Sequence, residues 1–114
     1  MLKQDYEKLA KDVAEATEYI KEFKKSEEFL KLNDYGTCNF DSPIIFLKHA
    51  NLSTLEQTLE KVNCSTYKSY TGAYQLGFDG LWCGQAMNRT TVAEKFVEFM
   101  KDKGWDCYVN YITD

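Results

Sequence analysis

The chain has one proline, six glycines and one histidine in 114 residues. So little proline and glycine excludes collagen-like, linker and low-complexity readings. A lone histidine, His49, leaves no H-E-x-x-H and no helical histidine pair, and no Asp/Asn ladder closes on a Glu. No G-x-x-x-x-G-K-[ST] or G-x-G-x-x-G is present to cradle a phosphate. The four cysteines, Cys38, Cys64, Cys83 and Cys107, stand 26, 19 and 24 residues apart. Without a close pair they suit neither a zinc ribbon nor a redox motif, and read as free thiols. No window approaches the roughly 18 apolar residues of a membrane span. Residues Met1 to Phe23 are charged throughout, unlike a secretory signal, so the expected location is cytoplasmic.

What is present is a single domain's worth of chain, 44% apolar and 28% charged, with 15% aromatics. The formal net charge of −4 argues against a mainly electrostatic nucleic-acid binder. The acidity is diffuse: residues 1–32 hold seven lysines against eight acids.

Residues 2–32 carry a heptad-like stripe of Leu2, Tyr6, Leu9, Val13, Ala16, Ile20, Phe23 and Leu30, which predicts a long helix. Its lapse at Glu27 leaves Ser26 placed to start a short second helix. The stripe suits either a helix laid on the domain's own core or a seam for a second copy. Pro43 to Leu47 is a continuous apolar run, as in a strand buried on both faces. Ser53 and Glu56 form a capping box for a helix ending near Asn63. Thr66 to Leu76 suits a strand bent or bulged at Gly72. Asp79-Gly80 predicts a two-residue hairpin pairing Phe78 with Leu81 and Leu76 with Cys83, with Trp82 on the opposite face. Thr91 and Glu94 suggest a cap for a helix that stops at Gly104, and Trp105 to Thr113 alternates as a last strand.

The expected architecture is therefore α+β over one domain, 1–114: an N-terminal helix at 1–32 and a βαββαβ core at 40–114. In element order that core resembles ferredoxin-like domains, which implies an antiparallel sheet with both crossover helices on one face. The extra helix is expected to cover the open face or reach toward a partner; the apolar run at Ile44–Leu47 favours covering.

No residue pattern marks an enzyme and no cofactor is expected. Beside a cysteine His49 would suit a general base, but no spacing brings one to it. The third strand lacks the basic-plus-aromatic pattern of the RNA-recognition fold, which leaves nucleic-acid binding a minor alternative. Eight tyrosines exceed what a small core absorbs with partners for each hydroxyl. Tyr35, Tyr67, Tyr70, Tyr74, Trp82 and Tyr108 are thus candidate partner contacts, with Glu15, Glu18 and Glu22 as acidic ones. In size and composition the chain is similar to small phage and mobile-element inhibitors, anti-CRISPR proteins among them. That likeness implies a binding protein that occupies a protein partner. A dimeric small-molecule-sensing regulatory domain, joined through the N-terminal helix or a sheet edge, is the other reading.

Overall fold

The computed structural model describes residues 1–32, 40–70, 72–78 and 86–112, and within them every side chain but those of Tyr70, Phe78, Ala86 and Met87. Helix α1 spans Lys3–Phe23 and a short α2 spans Glu27–Leu30. Strand β1 (Ser42–Phe46), helix α3 (Leu52–Glu60), strands β2 (Cys64–Tyr70) and β3 (Ala73–Phe78), helix α4 (Ala86–Asp102) and strand β4 (Cys107–Asn110) follow. The four strands form one antiparallel sheet in the order β2-β3-β1-β4.

The register fixes which residues share a face. Ile45 pairs with both Tyr74 and Cys107, and Thr66 with Leu76, so these side chains point to one side of the sheet. That side holds the core. Leu55 and Leu59 of α3 and Val92, Phe96 and Met100 of α4 pack there with Ile45, Leu76 and Cys107. The heptad stripe of α1 joins them: Tyr6, Leu9, Val13, Ala16, Ile20 and Phe23 are all buried.

The expected cover of the opposite face is overturned here. Helix α1 packs on α3 and α4, extending the helical layer. Both crossover helices offer apolar surface beyond the sheet, and the stripe of α1 is spent on it. The stripe is thus laid on the chain's own core. Only the ends of the predicted stripe stay out of the core: Leu2 and Leu30 are exposed.

Local signals explain most boundaries. Asp5 accepts from the Leu2 N–H at 2.8 Å, half of a capping box at the start of α1. Ser26 Oγ accepts from Phe29 N at 3.2 Å and so caps α2 as expected. At the end of α4, Trp105 N donates to Met100 O at 3.1 Å and Gly104 N to Lys101 O at 2.9 Å. This Schellman closure needs the left-handed backbone that Gly104 adopts at φ 96°.

Three expectations fail in informative ways. The N-cap of α3 is Asn51, whose Oδ1 accepts from Thr54 N at 3.0 Å, and Ser53 lies inside the helix. Thr91 and Glu94 lie well inside α4, which begins at Ala86. Gly72, with φ 79°, lies between β2 and β3, so the expected strand 66–76 is two antiparallel strands. Leu76 therefore pairs with Thr66 and Phe78 with Cys64. The Asp79-Gly80 turn, expected to pair Phe78 with Leu81, begins where the described part of β3 ends. That dipeptide, and Trp82 with it, lies outside the described residues.

Candidate binding surface

The face of the sheet turned away from the helices is built by alternation. The register directs Ser42, Ile44 and Phe46 of β1, Ser65 and Tyr67 of β2, Ala73, Gln75 and Gly77 of β3, and Tyr108 and Asn110 of β4 to it. No residue in this set is charged, in a chain that is 28% charged overall. One row crosses all four strands, because Tyr67 faces Gln75, Gln75 faces Ile44 and Ile44 faces Tyr108. The two tyrosines end that row on the edge strands, about 14 Å apart by strand spacing.

Exposure grades across the face. Tyr67 is 64% and Tyr108 44% exposed, Gln75 and Gly77 are half-buried, and Ile44, Ala73 and Ser42 are buried. The double-sided burial expected for the Ile44–Leu47 run is therefore present, although α1 does not supply it. Tyr108 is held on three sides. Its ring meets Phe46 edge-on at 5.9 Å and lies 4.7 Å from the Lys101 ammonium. Its hydroxyl is hydrogen-bonded to Asp106, whose bond and charge push the phenol above its ordinary value. Among the described residues no ring contact or hydrogen bond of this kind fixes the Tyr67 side chain.

The other sequence candidates disperse. Tyr74 is corrected: it pairs with Ile45 on the helix side, is 4% exposed, and donates its hydroxyl to Ala50 O at 3.5 Å. One step of strand parity separates it from the outer face. Tyr70 stands opposite Ala73 in the register, and Tyr35 and Trp82 lie outside the described residues. Glu15, Glu18 and Glu22 lie on α1 and pair with Lys103 at 3.0 Å, Lys21 at 3.3 Å and Lys25 at 3.4 Å. They form a salt-laced helix surface with no tyrosine of the sheet face among them.

Two polar clasps went unread in the sequence. Asp12 is buried and accepts from Lys8 Nζ at 2.7 Å and from Trp105 Nε1 at 2.8 Å, tying α1 to the segment before β4. Burial alone would raise this carboxyl. The donors Lys8 and Trp105, with the charges of Lys8 and Lys103, outweigh it and hold the group below its ordinary 3.8. Asp41 accepts from Thr90 Oγ1 at 2.6 Å and from Ile112 N at 2.8 Å, joining the entry of β1 to α4 and to the exit of β4. The signal for Asp12 was its place inside the apolar stripe, three residues after Leu9 and beside Val13.

Among the described residues the reactive groups are poorly placed for chemistry. Burial pushes the Cys64 and Cys107 thiols up to about 12, the wrong direction for a nucleophile. His49 is exposed, in a left-handed turn with φ 59°. Among the described residues no three His, Cys, Asp or Glu side chains converge as a metal site, and no helix is long and apolar enough to cross a membrane. A groove of about 550 Å³ between α1 and α3 is lined by Lys3, Glu7, Thr58 and Lys61 among others, groups of mixed sign. The Thr58 hydroxyl there is already committed to Thr54 O at 2.7 Å.

Compared with protein-family models, curated proteins and solved structures, the chain matches none.

Proposed function

We propose that the chain is a non-enzymatic binding protein that occupies a protein partner through the outer face of its sheet. The observation that carries this reading is the uncharged cross-sheet row from Tyr67 to Tyr108. Tyrosine with serine, glycine and asparagine is the composition of antibody-like surfaces that hold proteins by rigid aromatic contact and adaptable hydrogen bonds. A phosphate backbone needs lysine or arginine, and the face directs neither outward, which sets protein ahead of nucleic acid. The finer architecture belongs to the same proposal. We read the β1-α3-β2-β3-α4-β4 unit as ferredoxin-like, supported by its element order and by a sheet that runs β4-β1-β3-β2 from the other edge. Such folds host many functions, so the site and not the fold bears the argument. The likeness in size and composition to phage inhibitors fits a protein that works by occupancy.

The test is affinity capture from a lysate of the cells in which the protein acts, at low and high salt, with wild type and a Tyr67→Ser/Tyr108→Ser double variant. A discrete protein retained by wild type at both salt levels and lost by the variant is the expected result. Equal capture by the folded double variant, or capture of nucleic acid that disappears with salt, would overturn the reading.

A further inference from the structure

The two edges of the sheet are built differently. Strand β4 on one edge has four residues, and β2 on the other has seven. Among the described residues β2 pairs with β3 alone. An edge strand offers backbone N–H and C=O groups to any second strand, and short length, charge, proline or a bulge ordinarily blunts it. On β2 those devices sit together at one end. Lys68 is its one charge, and the register shift between Lys68 and Tyr70 makes Ser69 an extra residue. Cys64 to Lys68 is left as a regular, proline-free run with Thr66 at its midpoint.

Two side chains of that run lack what their chemistry ordinarily finds. Thr66 turns to the helix side and is 7% exposed, and its Oγ1 is buried with no hydrogen-bond partner among the described residues. A buried hydroxyl is ordinarily bonded. Tyr67, next to it on the outer face, is 64% exposed.

We infer that β2 pairs antiparallel with β2 of a second copy of this chain, about a two-fold axis at Thr66, and so joins the two sheets into one. The midpoint sets the register, because a two-fold axis there uses the whole regular run and stops short of Ser69. Thr66 then faces the second copy's Thr66. Directly opposed Cβ atoms lie about 4.5–5.5 Å apart, so rotation about Cα–Cβ lets one hydroxyl bond the other. Ser65 faces the second copy's Tyr67, and Tyr67 its Ser65, which gives each exposed ring a neighbour. Lys68 faces Cys64, which keeps the two ammoniums roughly 14 Å apart along the strands. The run thus matches itself, with no like charges opposed, and this favours a second copy over an unrelated strand. The pairing stands apart from the proposed binding face.

Sedimentation velocity over a concentration series tests it. Wild type is expected to show a reversible monomer–dimer equilibrium with dimer present at about 100 µM, as suits a small interface. Ser65→Glu/Tyr67→Glu sets glutamate against glutamate in both cross-strand pairs and should weaken the dimer about tenfold. Ser65→Lys/Tyr67→Glu sets lysine against glutamate in the same pairs and should restore it. Both positions are exposed, and circular dichroism confirms that the variants fold. Thr66→Val keeps the shape and removes the hydroxyl. It should weaken the dimer about threefold or more, because its monomer has no unbonded hydroxyl for pairing to relieve. A wild type that stays monomeric at about 100 µM would overturn the inference. So would a dimer indifferent to the paired glutamates or to Thr66→Val, or one that the lysine–glutamate pairs do not restore. Partner capture through Tyr67 and Tyr108 by a strictly monomeric chain refutes the pairing and spares the binding face. A dimer that obeys these substitutions, with capture indifferent to both tyrosines, does the reverse.

Discussion

The two faces of one sheet differ in how their side chains are used. The inner face carries Ile45, Tyr74, Leu76 and Cys107, all buried under α1, α3 and α4. The outer face carries tyrosines at its edges and small or neutral residues between them. Burial of roughly 1.5–3 kcal/mol per large apolar side chain accounts for the first set. It does not account for Tyr67, which is 64% exposed and touches no clasp. On the outer face Ile44, Ala73 and Ser42 are buried as well, and its large exposed side chains are the tyrosines of the edge strands.

That division can be broken or sharpened by substitution on each side. The largest effect is expected inside. Leu76→Ala leaves a cavity against helices α3 and α4 and should cost about 3 kcal/mol in urea denaturation. A cost below 1 kcal/mol, by the same measure, would mean the inner face is not the packed one. Asp12→Ala comes next. It leaves the Trp105 N–H and the Lys8 ammonium without their acceptor and should cost about 2 kcal/mol.

The same carboxylate gives the molecule an acid dependence. Because Asp12 titrates lower in the folded chain than its ordinary 3.8, its contribution is full above that pH and fades as pH falls through the depressed folded value. Urea midpoints measured down a pH series should drop less in Asp12→Asn than in wild type over that acid range. An equal drop in both would place the acid sensitivity elsewhere.

Smaller effects probe the edges of the comparison. Gly104→Ala forces a side chain into a left-handed backbone at φ 96° and should cost about 1 kcal/mol, with no change in partner capture. Tyr67→Ser should move stability by no more than about 0.5 kcal/mol and yet abolish capture, a separation that no inner-face variant should reproduce. Glu18→Gln with Glu22→Gln should change neither, since both carboxylates sit in exposed pairs on α1.

The sequence was most legible where one period ran long. The α1 stripe from Tyr6 to Phe23 spans more than four turns, and its buried face needed no tertiary information. Legibility failed where two local signals competed. Thr66 to Leu76 reads as one strand bent or bulged at Gly72, but Gly72 holds a left-handed turn that separates two strands and lets Tyr74 and Leu76 point inward. Thr91 and Glu94 satisfy a capping pattern, and such a pattern cannot tell a helix start from a helix already one turn along. The tyrosine surplus did mark the surface, through Tyr67 and Tyr108. It also marked Tyr74, because which face a strand residue takes is set by pairing partners distant in sequence. That Phe46 and Gln75 share a face with Tyr67 and Tyr108 was invisible for the same reason: it follows only once the strands are set side by side.

The most direct measurement is site-specific photocrosslinking. Benzoylphenylalanine placed at Tyr67, or separately at Glu18, is irradiated in the presence of the captured partner. The account predicts a covalent adduct from position 67 and none from position 18. An adduct from position 18 with none from position 67 would move the binding surface to α1 and contradict it.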